Sequence, residues 1–291
     1  MTPFVADPVY LNGQFLPLAE TAISPLDRGF LYGDGVYEVI PVYSRQPFRI
    51  DEHLRRLEAT LAGIRLANPL ALGDWKAVVE KLIAAAPWED QSIYLQVTRG
   101  ADDKRDHAFP PASVLPTTVA FASPLVTTPA AVRARGVAAL TVPDLRWARC
   151  DLKVISLLAN VLARQQAVDG GCAEALLIRD GFLKEGAASN IFVVKDGVVL
   201  APPKTQQMLP GITYDVILEL AEQHGQAFEV REISERELRA ADEVWMTSST
   251  KEILAITTLD GAPVGTGRPG PVGEQMWQWY QDFKNTVMRK G

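Results

Sequence analysis

Apolar and polar positions first alternate as strands do, then recur at helical spacing, then alternate again. Tyr10 to Phe15 carries Asn12-Gly13 between apolar flanks, the mark of a tight β-hairpin. A β-branched and aromatic run from Val36 to Tyr43 predicts a strand, turned at Ser44-Arg45-Gln46-Pro47 into a second near Phe48 to Ile50. Leu54, Leu57, Leu61 and Ile64 follow at helical spacing with arginines on the other face, and Asp51 stands where an N-cap belongs. A second helix is predicted from Trp75 to Ala86. Strands are predicted over Ser92 to Thr98 and Thr117 to Ala122, separated by the polar loop Arg99 to His107.

Ser123 to Pro129 contains two prolines, no charge and no periodicity, so it reads as a linker. The domain boundary is placed there, giving an N-terminal domain 1–124 and a C-terminal domain 125–291 that includes Lys153. The second domain is predicted to contain a strand (Val137 to Val142) and a helix from about Ser156 to Val168, stopped by Gly170-Gly171. Hairpins at Asp180-Gly181 and Asp196-Gly197 and a helix from Thr213 to Gln223 come next. A strand from Glu243 to Thr247 then runs into Ser248-Ser249-Thr250, which reads as another helix start. Strands and helices do not strictly alternate, which argues against a doubly wound parallel sheet.

Composition narrows the function classes. At 291 residues, 47% of them hydrophobic, the chain can build a substantial core. Its net charge of −6 argues against nucleic acid or an anionic membrane as partner. No stretch approaches the ~18 apolar residues of a membrane helix. The first residues, Met1 to Asp7, lack a basic segment followed by an apolar run, so no signal peptide is expected. Only Cys150 and Cys172 are present, without CxxC spacing; unpaired thiols in a reducing cytoplasm are expected. His53, His107 and His224 have no metal-ligand spacing. Gly265 to Gly270 matches GxGxxG, but Pro269 suits neither a preceding strand nor an opening helix, and a surface loop is expected.

The candidate chemistry centres on Lys153. A lone lysine is usually solvated, yet Leu152, Val154, Ile155, Leu157 and Leu158 surround this one, just before a helix. Glu185, in Lys184-Glu185-Gly186, is either a turn residue paired with Lys184 or a carboxylate that meets a protonated ring nitrogen. Thr213, read as an N-cap after Pro210-Gly211, would leave the N–H groups of Gly211, Ile212 and Thr213 open to an anion. Ser248 and Ser249 can add hydroxyl donors from a second junction, and Arg56 can add positive charge. A lysine for covalent attachment, a carboxylate for a ring nitrogen and a helix end for a phosphate together suit pyridoxal 5'-phosphate. Arg105 and His107, two residues apart in the polar loop, can hold a carboxylate.

Several motifs recur along nearly the whole chain: Asp27-Arg28-Gly29, Gly33-Asp34-Gly35-Val36-Tyr37-Glu38, His53-x-x-Arg56, Gln96 to Gly100, Asp151-x-Lys153, Glu185-Gly186, Ser189-Asn190 and Leu209 to Thr213. In this order they resemble the class IV (fold type IV) aminotransferases. Within that family, Arg105-x-His107 and Arg149 to Lys153 look most like the D-amino acid transaminases. The resemblance implies a mixed α/β fold. Its smaller N-terminal domain would be an α/β sandwich and its larger C-terminal domain β-barrel-like with helices, the cofactor lying between them. It also implies a homodimer, with the loop bearing Arg105 and His107 reaching the neighbouring subunit's site. Tyr37 would join them around the substrate carboxylate, and Leu209 would pack against the cofactor ring. Three positions depart from the family pattern: Val154 where serine is usual, Ala187-Ala188-Ser189 for three serines, and Tyr214 for arginine. Poorer hydrogen bonding around the cofactor is expected from them. The reading is transamination between a D-amino acid and 2-oxoglutarate or pyruvate. Its rivals are a branched-chain L-aminotransferase and an aminodeoxychorismate-type lyase.

Overall fold

In this computed structural model, which describes residues 4–290, the β-branched and aromatic segments form two sheets and the helical repeats cover them. Positions 1–3 and 291, to which the N-terminal reading and the domain limits extend, lie outside the described residues. The chain divides into two compact units. The first runs to Leu125 and adds Leu152–Leu157 and the segment from Thr286; the second is Val126–Asp151 with Leu158–Asn285.

The first unit contains β1 (Val9–Leu11), β2 (Gln14–Leu16), α1 (Arg28–Tyr32), β3 (Gly35–Tyr43), β4 (Gln46–Pro47), α2 (Ile50–Gly63), α3 (Leu72–Ala85), β5 (Gln91–Thr98) and β6 (Thr117–Pro124). Its six strands are antiparallel in the order β2-β1-β6-β5-β3-β4. The pairings Val36↔Val97 and Ile40↔Ile93 set one face of the sheet. There it packs on Leu54, Leu57 and Leu61 of α2 and Trp75, Val79 and Leu82 of α3, forming the core of the unit. Each such side chain contributes ~1.5–3 kcal/mol through burial. On the opposite face Tyr37, Tyr94 and Phe121 stack in a row, at centroid distances of 5.7 and 5.0 Å.

Local detail differs from expectation at three places here. Ser44 and Arg45 both adopt positive φ (48° and 64°), so the turn closes in two residues and the return strand is Gln46–Pro47, not Phe48 to Ile50. Arg49, at φ 51°, then leads straight into α2 and takes the N-cap position. Asp51 sits in the first turn instead, paired with Lys76 at 2.7 Å. The segment Leu152–Leu157, which a cut at 124/125 would assign to the second domain, packs with the first unit. Val154 bridges to Val36, and Tyr37 N–H donates to Lys153 O at 2.9 Å. Leu152 fills the space beside Gly63, where a Cβ would meet its Cδ2 at 2.5 Å. Strand pairing and burial outweigh proximity in sequence.

The second unit contains α4 (Ala130–Arg135), β7 (Val137–Pro143), α5 (Leu158–Asp169), β8 (Glu174–Arg179), β9 (Phe182–Gly186), β10 (Asn190–Lys195), β11 (Val198–Ala201), α6 (Ile212–Gln223), β12 (Phe228–Val230), β13 (Ile233–Ser234), α7 (Glu235–Arg239), β14 (Glu243–Ser248), β15 (Glu252–Leu259), β16 (Ala262–Pro263) and α8 (Pro271–Phe283). Its sheet runs β12-β11-β10-β14-β15-β7-β8-β9-β13, with β16 beside β15. Three pairs are parallel (β11 with β12, β15 with β7, β7 with β8) and the rest antiparallel, so the sheet is mixed, as the irregular order of elements implies. The turns at Asp180-Gly181 and Asp196-Gly197 have positive φ at both residues, the geometry for which Asp-Gly is suited.

One predicted helix is absent. After Thr250 the chain forms β15, antiparallel to β14, so Ser248 ends β14 opposite Glu252 and Ser249 lies in the hairpin turn, neither at a helix start. Ile253, Leu254 and Ile256 are buried in the sheet, and that burial outweighs the capping preference of the serines. Among the described residues no helix is long and apolar enough to cross a membrane.

Candidate active site

Lys153 lies in the first unit, half-buried, with its Nζ 4.2 Å from the centre of the Tyr37 ring. Its backbone is held against the start of β3, so the amine projects from a fixed point. One residue on from Tyr37, Glu38 points to the buried face and is 0% exposed. It accepts Arg56 Nε and Nη2 at 2.6 and 2.8 Å, and His53 Nδ1 lies 2.9 Å away. Burial alone raises the Glu38 carboxyl, but Arg56 and then His53 outweigh it and hold it at about 2. Burial keeps His53 below its ordinary value, against the pull of Glu38, so the ring is neutral and donates from Nδ1. Arg56 thus has a fixed place next to the β3 segment that also holds Lys153.

Arg105 and His107 lie exposed in the loop between β5 and β6. Both meet the Tyr32 ring of α1: the Arg105 guanidinium at 5.4 Å, the His107 ring at 5.3 Å. Tyr37, the third residue expected around the carboxylate, stacks on Tyr94.

In the second unit, Glu185 is 4% exposed at the end of β9. Lys184 does not pair with it and binds Glu232 at 3.0 Å instead. Its cationic partner is Arg146, whose Nη1 donates to Glu185 Oε1. Leu209 N–H donates to the same oxygen at 3.2 Å, and Asn190 Nδ2 donates to Oε2 at 3.3 Å. Burial pushes the Glu185 carboxyl up to about 7, against Arg146 and Leu209. Arg146 cannot offset that burial fully because Asp144 takes its Nε and Nη2, both at 2.9 Å. The two carboxylates together hold Arg146 protonated more firmly than usual despite its burial.

Asn190 links this carboxylate to the start of α6. Its Nδ2 also donates to Leu209 O at 3.1 Å, and its Oδ1 would lie 2.0 Å from a Cβ at Gly211. Gly211, with φ −71° and ψ 136°, is the N-cap, and no side chain caps the helix. Thr213 is therefore not the cap but lies two residues inside, buried, with Ile212 before it. The first-turn N–H groups have no intrahelical acceptors, which makes this end of a twelve-residue helix suited to an anion. Ser248 and Ser249 follow Thr247, which pairs with Asn190 across β10 and β14. Glu185, Leu209 and Gly211 are thus gathered around Asn190, and Ile212 and Thr213 follow as the first residues of α6.

The three departures have structural roles. Val154 belongs to the core of the first unit, and Ala187 packs beneath α5. Ser189 donates to Glu174 at 2.7 Å, while Tyr214 donates to Pro202 O at 2.9 Å from a buried position. Glu38 and Arg146 were missed by sequence reasoning. Glu38 had a signal: at strand spacing it falls on the apolar face with Val36 and Ile40, where a charge needs a partner. Arg146, between exposed Leu145 and Trp147, had none.

Residues 35–259 match the family profile of amino-transferase class IV. The D-alanine aminotransferase of Bacillus licheniformis is 38% identical over 264 residues, which cover 91% of this chain and 92% of that protein. A branched-chain amino acid aminotransferase of Escherichia coli aligns in structure with a TM-score of 0.88 at 27% identity, covering 95% of this chain and 94% of that one. The T.th. branched-chain amino acid aminotransferase with pyridoxamine 5'-phosphate gives 0.87 at 27%, over 95% and 93%. The matched span runs from the start of β3 to the end of β15, and with it the chain belongs to the class IV aminotransferases.

Proposed function

We propose that the protein moves the amino group of a D-amino acid to a 2-keto acid, 2-oxoglutarate or pyruvate, with pyridoxal 5'-phosphate as cofactor. The observation that carries the reading is the Arg105-x-His107 pair seated on Tyr32, in a chain similar along 91% of its length to a D-alanine aminotransferase. The donor set fits the cofactor. Glu185 is a buried acceptor for a protonated ring nitrogen, and the α6 N–H groups suit a phosphate; Ser248, Ser249 and Arg56 are the further donors that the reading assigns to it.

When bound, the cofactor supplies a covalent anchor for the amine and a ring that accepts electron density from Cα. Lys153 carries the proton to and from the substrate Cα. Glu185 holds a proton at the ring nitrogen, and Arg146, Asn190 and Leu209 N–H orient it. Leu209 would pack against the ring. Arg105, His107 and Tyr37 fix the substrate carboxylate, leaving the Cα hydrogen of the D-enantiomer towards Lys153.

A homodimer fits the same reading: α5 exposes Leu158, Val161 and Leu162, an apolar strip of a kind that partners usually cover. The two unpaired thiols suit a cytoplasmic protein. The branched-chain reading is kept as second because solved structures of that activity align closely. A panel of D- and L-amino acids against both keto acids separates them. Turnover of D-alanine and D-glutamate, absent in Lys153→Ala, supports the proposal. Preference for L-valine and L-leucine would overturn it, and turnover without a keto acid would point to a lyase.

A further inference from the structure

Arg28 is the least exposed arginine that the proposed chemistry does not use: it is 4% exposed at the start of α1. Its Nε donates to Asp34 at 2.9 Å, its Nη1 to Asp106 O at 2.6 Å and its Nη2 to His107 O at 3.3 Å. A charge this buried is costly unless all its donors are used. Balancing Asp34 does not account for it, because Arg99 Nε already binds that carboxylate at 2.8 Å. What Arg28 adds is a grip on two backbone carbonyls of a loop with little regular structure of its own.

The grip comes from a fixed place. Asp27, 2% exposed, caps α1 through Gly29 N–H at 2.8 Å and accepts Thr98 and Thr117 hydroxyls at 3.0 and 2.6 Å, tying the helix to β5 and β6. Arg28 N–H donates to Gly100 O at 2.9 Å. Arg99 holds the far side of the loop, its guanidinium 3.8 Å from the centre of the Phe109 ring and its Nη atoms on Arg65 O and Ile64 O. The other end of α1 supplies Tyr32, whose ring meets both Arg105 and His107.

We infer that α1 is the seat of the carboxylate-reading loop: Arg28 positions the backbone of residues 106–107, and Tyr32 positions the side chains of Arg105 and His107. The inference rests on the proposed role of Arg105 and His107. An arginine is required because three acceptors in a fork lie beyond a single ammonium.

The test uses the holoenzyme of Arg28→Met, Arg28→Lys, Tyr32→Leu, Tyr32→Phe and Arg105→Leu. For each, KM and kcat are measured with D-alanine and with an uncharged primary amine, and tryptic cleavage after Lys104 is timed. Arg28→Met and Tyr32→Leu should raise KM for D-alanine roughly ten- to hundred-fold, as loss of a charge-assisted contact does, with kcat and the amine little affected. Cleavage should quicken in Arg28→Met. Arg28→Lys should restore little, and Tyr32→Phe should behave as wild type. If Arg105→Leu loses discrimination for the carboxylate while Arg28→Met and Tyr32→Leu keep it, the positioning role is wrong. Should Arg28→Met not fold, the contrast between Tyr32→Leu and Tyr32→Phe decides on the same criterion. An unchanged discrimination in Arg105→Leu would remove the reading of the loop itself, and this inference with it.

Discussion

Glu38 and Glu185 are both buried carboxyls, yet their surroundings push them in opposite directions. Glu38 is bound by Arg56 and His53 and stays ionised down to about 2. Glu185 shares Arg146 with Asp144 and titrates at about 7. The linkage to stability differs in sign. Glu38, depressed on folding, contributes stability above its unfolded value of 4.5, lost as pH falls towards 2. Glu185, raised on folding, retains a proton that the unfolded chain has released between pH 4.5 and 7, so the cofactor-free protein loses stability as pH rises through that window. The slope from one group is at most about 1.4 kcal/mol per pH unit. Thermal unfolding of cofactor-stripped wild type and Glu185→Gln from pH 5 to 8 checks this. The variant should lack the decline; parallel curves would mean that Arg146 keeps Glu185 charged throughout.

At the level of elements, the start of α6 depends on how closely it approaches β10. Gly211 has ordinary negative φ, so backbone conformation does not demand glycine; Asn190 does. Gly211→Ala should displace Asn190 from Glu185 and Leu209. The expected destabilisation is ~1–3 kcal/mol, as for other overpacked sites, together with weaker pyridoxal 5'-phosphate binding by fluorescence titration. Gly73→Ala on α3 is the control: a Cβ there meets nothing within 4 Å, and helix propensity should stabilise the protein by ~0.5–1 kcal/mol. Loss of stability in the control, or none in Gly211→Ala, would contradict this account.

At the scale of the whole molecule, the second unit leaves an apolar strip on α5, with Leu158 71%, Val161 58% and Leu162 56% exposed. Covering it would remove from water side chains that each contribute ~1.5–3 kcal/mol. Sedimentation should therefore give a dimer, and Val161→Asp with Leu162→Lys should shift it towards monomer. A wild-type monomer with full turnover would exclude the dimer. The two units are not consecutive along the chain: the segment carrying Lys153 packs with the first, although second-unit residues flank it on both sides.

Hydrophobic period and turn chemistry were sufficient for most elements. Asn12-Gly13, Asp180-Gly181 and Asp196-Gly197 each impose positive φ on adjacent residues, and Leu54, Leu57 and Leu61 can share a face only in a helix. The motif order around Lys153, Glu185 and Gly211 identified the family, because the chemistry of the cofactor restricts those residue types strongly. Tertiary structure alone decided the rest. Pairing with Val36 took Val154 and Lys153 into the first unit, and burial of Ile253, Leu254 and Ile256 turned an apparent helix start into a hairpin. The partners of Glu185 and the seat of Arg105 also arise from contacts between residues distant in sequence. Periodicity and capping signals are local, whereas strand pairing and the neutralisation of buried charge depend on which distant residues meet.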